Sequence, residues 1–178
     1  MAPISPSDGP VAVTGASGYI GSHVCKNLVE HGYEVRACVR DHTSEARTRH
    51  LLAMNSGQAK GGGGSLACFS ADLMVEGSYD SVIEGCTAVF RHVAANFGTD
   101  PRWAAATNVA GRLSPVDAAV SDVTIVPTTS YDQGVYDSLV VATQRILESI
   151  ERTGSSIQRF VYTSSFAAVS GPRPDGHI

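Results

Sequence analysis

Residues 11–21 read VAVTGASGYIG, and no other stretch restricts the fold of this chain so tightly. A short apolar run, Val11 to Val13, meets glycines at 15, 18 and 21, and an amphipathic segment follows without a break. Strand, glycine-rich turn and helix in that order form the layout that receives the pyrophosphate of a dinucleotide. Gly15 permits a sharp turn. Gly18 lets the backbone approach phosphate where a Cβ would collide, and Gly21 lets the helix pack closely on the strand. The helix N-terminus adds unpaired N–H groups and the positive end of the helix dipole. Gly15, Ser17, Gly18, Tyr19, Ile20 and Gly21 are therefore the candidate cofactor contacts of this turn. Their spacing is G-x-x-G-x-x-G rather than G-x-G-x-x-G, so the surrounding sequence has to decide.

Downstream, apolar and polar residues alternate between two periods. Ile20, Val24 and Leu28 recur every four residues before Gly32, which predicts a helix over 20–31. The pattern then predicts a strand over 33–39 and a helix over 43–54, with Thr43 or Ser44 as N-cap. A strand over 66–70, a short helix over 79–84 and a strand over 88–94 follow. A helical stripe within 131–152 is ended by Gly154, and a fifth strand over 159–163 runs into Ser164 and Ser165. Strands alternating with helices imply an α/β fold with a doubly wound parallel sheet, the Rossmann arrangement. Two stretches break the rhythm. KGGGGS at 60–65 predicts a flexible loop, with an interdomain linker as the alternative. Residues 99–130 carry prolines and no clean period. They read either as a surface insertion or as an artefact of how the coding sequence was assembled. The expected organisation is a flexible tail over 1–9 and one nucleotide-binding domain over 10–178.

Composition excludes several other classes. A chain of 178 residues with 43% hydrophobic and 17% charged residues suits one soluble domain. A net charge of −4 without a basic block argues against nucleic-acid or membrane-surface binding. No apolar run approaches the ~20 residues that cross a bilayer. The start, MAPISPSDGP, lacks the features of a secretory signal. Cys25, Cys38, Cys68 and Cys86 are widely spaced and form no metal pattern, so no metal is expected. Reduced thiols in a cytoplasmic protein are the expectation.

Four stretches, in order, carry a family resemblance: VTGASGYIGSHVCKNLVEHGYEVRACVRD from residue 13, ADL at 71–73, GCTAVFRHVAA at 85–95 and RFVYTSSFAAV at 159–169. With them the chain resembles the extended short-chain dehydrogenase/reductases, especially the dihydroflavonol-reductase and cinnamoyl-CoA-reductase-like branch. The resemblance implies an NADP-dependent oxidoreductase acting on a carbonyl or CH–OH group of a small organic substrate. The residues at the end of the second strand agree with it. Many NAD-binding proteins place an acidic residue there for the ribose hydroxyls. Here Val39 and Arg40 take that place, and a guanidinium can pair with a 2′-phosphate that a carboxylate would repel. By resemblance Arg47 is a second phosphate contact, the alternative for both arginines being ordinary surface charges. The resemblance also implies that Asp72 and Leu73 flank the adenine, with a turn or cap role for Asp72 as the alternative. It implies that Val93, Ala94 and Ala95 run under the cofactor. It assigns Ser165 the catalytic role of hydrogen-bonding the substrate's reacting oxygen, with a polar strand end that caps the next turn as the alternative.

The chain departs from the family pattern in two ways. Arg91 is an extra residue in an apolar strand, which predicts a bulge that puts it outside or a slipped register. His92 reads as a packed structural residue. The Tyr-x-x-x-Lys pair of the family is not present: neither Lys26 nor Lys60 follows a tyrosine by four residues. The expectation is an N-terminal fragment, truncated after the fifth strand, with little or no turnover. Its exposed apolar edge and face would favour aggregation or pairing with another chain. A non-catalytic NADP-binding module and an NAD-dependent sugar-nucleotide epimerase or dehydratase are the other readings, and Val39-Arg40 speaks against the latter.

Overall fold

The computed structural model describes residues 3–55, 63–92, 140–154 and 156–163. Five strands lie in one parallel sheet: β1 (Val11–Val13), β2 (Glu34–Val39), β3 (Ser65–Ser70), β4 (Ala88–His92) and β5 (Arg159–Thr163). Their order is β3-β2-β1-β4-β5, so successive strands first move one way from β1 and then the other. β1 is central, with Val11 opposite both Val35 and Ala88. The helices are α1 (Tyr19–Glu30), α2 (Glu45–Leu52), α3 (Asp80–Ile83) and α4 (Ala142–Arg152). This is the doubly wound α/β sheet implied by the alternation.

The pleat of β1 divides the core. Val13 joins Val35, Ala37 and Val39 of β2 under Cys25 and Val29 of α1 and Leu51 of α2. Ala12 faces the other way and joins Cys38, Val89, Tyr79, Val82, Ile83 and Ile146 of α4. A parallel strand buried on both faces reads as an unbroken apolar run, as VAV does. α1 ends where its sequence allows a left-handed residue. Gly32 has φ +88°, its N–H donates to Val29 O, and Tyr33 N–H reaches back to Leu28 O at 3.0 Å. That is a Schellman stop, with Leu28 and Tyr33 packed in the same cluster.

Three expectations need correction. Residues 3–9 are not a free tail: Pro6–Asp8 form a 3-10 turn, Asp8 Oδ2 accepts from Ser5 N–H at 2.7 Å, and Tyr33 Oη donates to Ile4 O at 2.7 Å. Within KGGGGS, Gly64 is a packed residue, because a Cβ there would overlap Val29 O of α1. The segment 60–62 lies outside the described residues, as do 99–130 and 131–139. α3 spans Asp80–Ile83, and the described part of the stripe within 131–152 forms α4 over Ala142–Arg152.

Arg91 is the third correction. It is inside, 0% exposed, in an unbulged ladder that pairs Phe90 with Val13 and Arg91 with Tyr162. The pleat puts it on the same face as Val89, two residues earlier. Its Nη1 donates to His92 O at 2.7 Å. Burial pulls the guanidinium pKa below its ordinary value, and the neighbouring Tyr79 and Tyr162 phenols oppose that pull. Desolvating this charge costs stability that its partners only partly return. Arg91→Met, which keeps length and removes charge, should leave the urea midpoint unchanged or higher. Arg91→Ala should cost about 2–5 kcal/mol through the cavity it leaves. Equal losses from both substitutions would contradict this account.

Candidate nucleotide-binding site

The site begins where β1 stops. Gly15 takes φ +62°, and Gly18 N–H closes the turn on Gly15 O at 3.0 Å. Ala16 N–H donates to Cys38 O at 3.3 Å, which ties the turn to β2. Gly18 is the N-cap of α1 and offers no side-chain cap, and the first turn carries no acidic residue. The amides of Tyr19, Ile20 and Gly21 therefore meet no side-chain cap and no acidic residue of their own turn, a setting open to an anion. Gly21 is buried under the turn. A Cβ on it would overlap Gly15 O and stand 2.8 Å from the Gly15 carbonyl carbon and 2.9 Å from Ala16 Cα. These contacts are backbone and cannot rotate away.

A cavity of about 360 Å³ opens beside this turn, lined by Gly15, Ser17, Gly18, Cys38, Val39, Arg40, Arg47, Ala71, Asp72, Leu73, Met74 and Tyr79. Arg40 follows β2 directly, and Arg47 lies in the first turn of α2; both are exposed. Asp72 enters from the loop after β3. One of its oxygens, Oδ1, accepts Met74 N–H at 2.9 Å, while Ser78 Oγ donates to its carbonyl at 2.6 Å. The turn role considered for Asp72 is thus filled by one carboxylate oxygen. α4 braces this loop: Arg145 Nη1 reaches Leu73 O at 3.4 Å, and Arg152 grips Asp80 at 2.9 and 3.2 Å. The Arg152 hydrogen bonds hold the Asp80 carboxyl below its ordinary pKa. Burial pushes the Cys38 thiol up, so this lining cysteine stays a protonated, inert thiol.

The carboxyl ends of β1, β4 and β5 are joined by a polar track. His92 N–H donates to Thr14 Oγ1 at 3.2 Å, and His92 Nδ1 meets Thr163 Oγ1 at 2.8 Å. His92 Nε2 is buried without a hydrogen-bond partner. Burial, reinforced by the Arg91 charge, lowers the His92 pKa, and burial also lowers that of His50.

Of the residues the sequence singles out, Gly15, Ser17, Gly18, Arg40, Arg47, Asp72 and Leu73 come together around one cavity. Tyr19 and Ile20 stand exposed on the first turn of α1, and Gly21 lies beneath the turn; these three do not line it. Val93, Ala94, Ala95 and Ser165 lie outside the described residues. Cys38, Ala71, Met74 and Tyr79 line the cavity without having been singled out. Cys38 and Ala71 sit at the ends of β2 and β3, one or two residues from Arg40 and Asp72, so strand-end position was the available signal. Among the described residues, no group of three His, Cys, Asp or Glu side chains could hold a metal, and no helix is long and apolar enough to cross a membrane.

The sequence model of the NAD dependent epimerase/dehydratase family matches residues 11–124. The chain is 46% identical over 92 residues to the bifunctional dihydroflavonol 4-reductase/flavanone 4-reductase of Pyrus communis, covering 52% of this chain and 25% of that one. It is 34% identical over 163 residues to the dihydroflavonol 4-reductase of Arabidopsis thaliana, covering 90% of this chain and 33% of that one. Among solved structures it resembles Gre2 of Candida albicans in complex with NADPH, with TM-score 0.58 and 25% identity over 89% of this chain and 38% of that one. Vestitone reductase from alfalfa (Medicago sativa) superposes with TM-score 0.53 and 27% identity, covering 90% of this chain and 37% of that one. The chain thus spans 25% to 38% of the length of these relatives. It belongs to the NAD dependent epimerase/dehydratase family.

Two expected outcomes follow from this geometry. Gly21→Ala should separate α1 from β1 and lower both the unfolding midpoint and dinucleotide affinity; an unchanged variant on both measures would contradict the close approach. For the histidines, a folded pKa below the unfolded value of about 6.5 means the unfolded chain binds the proton first. Their contribution to stability is complete above about pH 6.5 and is lost as pH falls through the lowered folded value. Urea midpoints should therefore drop on acidification from about pH 7.5 to about pH 5.5. The drop should shrink in a His50→Gln, His92→Asn double variant, and an undiminished drop would contradict the assignment.

Proposed function

We propose that this member of the NAD dependent epimerase/dehydratase family binds NADP(H) at the β1–α1 turn. Within the whole protein, it would serve as the cofactor-binding part of a reductase acting on a carbonyl or CH–OH group of a small organic substrate. The proposed domain covers 10–178. One observation carries the reading: Arg40 and Arg47 line the same cavity as Gly15, Ser17 and Gly18. The cradle fits the group, since the turn is glycine where a side chain would intrude, and its helix end is left without a side-chain cap. The first-turn amides of α1 would hold the pyrophosphate, and the two guanidinium groups the 2′-phosphate. Asp72 would use its second carboxylate oxygen, Oδ2, to accept from the adenine amine, and Leu73 would pack on the ring.

When bound, the cofactor supplies or takes up a hydride. Val93, Ala94 and Ala95 are proposed to run beneath its ribose and nicotinamide. Ser165, two residues beyond Thr163 of β5, is proposed to hydrogen-bond the substrate's reacting oxygen. The described relatives support this reading, since one matched Gre2 structure is an NADPH complex and the matched curated relatives are reductases.

Titration of the purified chain with NADPH and NADH, followed by nucleotide fluorescence, tests the proposal. NADPH should bind more tightly. Arg40→Ala should weaken NADPH roughly 10- to 100-fold, the loss of charge-assisted hydrogen bonds, while NADH affinity stays nearly unchanged. Equal affinity of the parent chain for both dinucleotides would sink the NADP assignment and favour an NAD-dependent epimerase or dehydratase.

A further inference from the structure

Tyr79 stands just before α3 and is 3% exposed. Its ring packs in the cluster of Ala12, Cys38, Val82 and Val89. Packing alone would be served as well by phenylalanine, because the Tyr79 hydroxyl makes no hydrogen bond among the described residues. A polar tip held at the edge of a core, without a partner among the described residues, carries a desolvation cost. The same residue lines the cavity, together with Arg40, Asp72, Leu73 and Met74.

We infer that Tyr79 is an unassigned nucleotide contact, whose hydroxyl donates a hydrogen bond to a ring nitrogen of the adenine. This rests on the cavity being the dinucleotide site proposed above. The chemistry of the base favours the pairing. Adenine offers an amine that donates and ring nitrogens that accept, so a complete edge reader needs both an acceptor and a donor. Asp72 supplies only acceptor oxygens. Tyr79 lines the same cavity, and its phenol lies within electrostatic reach of the buried Arg91 as well as of Asp72 and Arg40. Burial holds its phenol well above the ordinary tyrosine pKa, so it remains a neutral donor across the working pH range.

Tyr79→Phe keeps the ring and removes only the donor. The 178-residue chain and this variant would each be titrated with NADPH and NADH, with Arg40→Ala alongside and thermal midpoints recorded for all three. Tyr79→Phe should weaken both dinucleotides by the same factor, roughly two- to tenfold, with an unchanged or higher midpoint. Unchanged affinities in Tyr79→Phe would overturn the adenine contact while leaving the cofactor reading intact. A loss confined to NADPH would also overturn it, because the hydroxyl would then serve the 2′-phosphate. If the parent chain bound neither dinucleotide, the cofactor reading and the Tyr79 contact would fall together.

Discussion

The close approach of α1 to the end of β1 is the constraint on which the rest of the site depends. Gly21 lies so near the Gly15 carbonyl that no side chain fits between them. That contact sets where the first turn of α1 points. It aims amides without a side-chain cap at the space beyond the carboxyl end of the sheet. Because Ala16 is hydrogen-bonded to Cys38 of β2, the same contact fixes the distance from the turn to Arg40. An anion site and a cationic arm are thus placed by one backbone packing event rather than by two independent loops.

The other wall of the cavity has a different origin. The loop from Asp72 to Ser78 is closed by its own side chains and braced from outside by α4, through Arg145 at Leu73 and, just beyond the loop, Arg152 at Asp80 of α3. The braces lie far along the chain from the loop, so the pocket lip near Leu73 depends on α4 docking. The exposed Arg152–Glu76 pair at 3.5 Å contributes little by comparison. The shape of the site therefore depends on helix packing more than on surface charge. Across the central strands, Thr14, His92 and Thr163 add a polar ladder at the switch between β1 and β4. Open α/β sheets receive ligands at that place.

Local patterns were readable where one element alone decides the outcome. VAV before the glycine turn, the four-residue period of Ile20, Val24 and Leu28, and RFVYT at 159–163 all specify their elements without help from distant residues. Arg91 was not readable, because its face is set by the pairing of β4 with β1 and β5, and a charge in an apolar run argues locally for the outside. Residues 3–9 look like a tail because their anchor is Tyr33, far along the chain. Tyr79 reads as the start of a short helix, and only the fold brings it to the cavity shared by Arg40 and Asp72. The glycines at 63 and 64 look alike in sequence, yet a Cβ meets nothing at Gly63 and the α1 backbone at Gly64.

The central claim is that the glycine turn and the Arg40–Arg47 segment form a single nucleotide site. Amide chemical shifts of the isotopically labelled chain, followed during titration with 2′,5′-ADP, test it most directly. The account predicts a contiguous set of shifted amides over 15–21, 40–47 and 72–74, saturating together at one affinity, with Arg159–Thr163 unmoved. Shifts that leave the Gly15–Gly21 amides in place, or that saturate at different concentrations in the two segments, would contradict it.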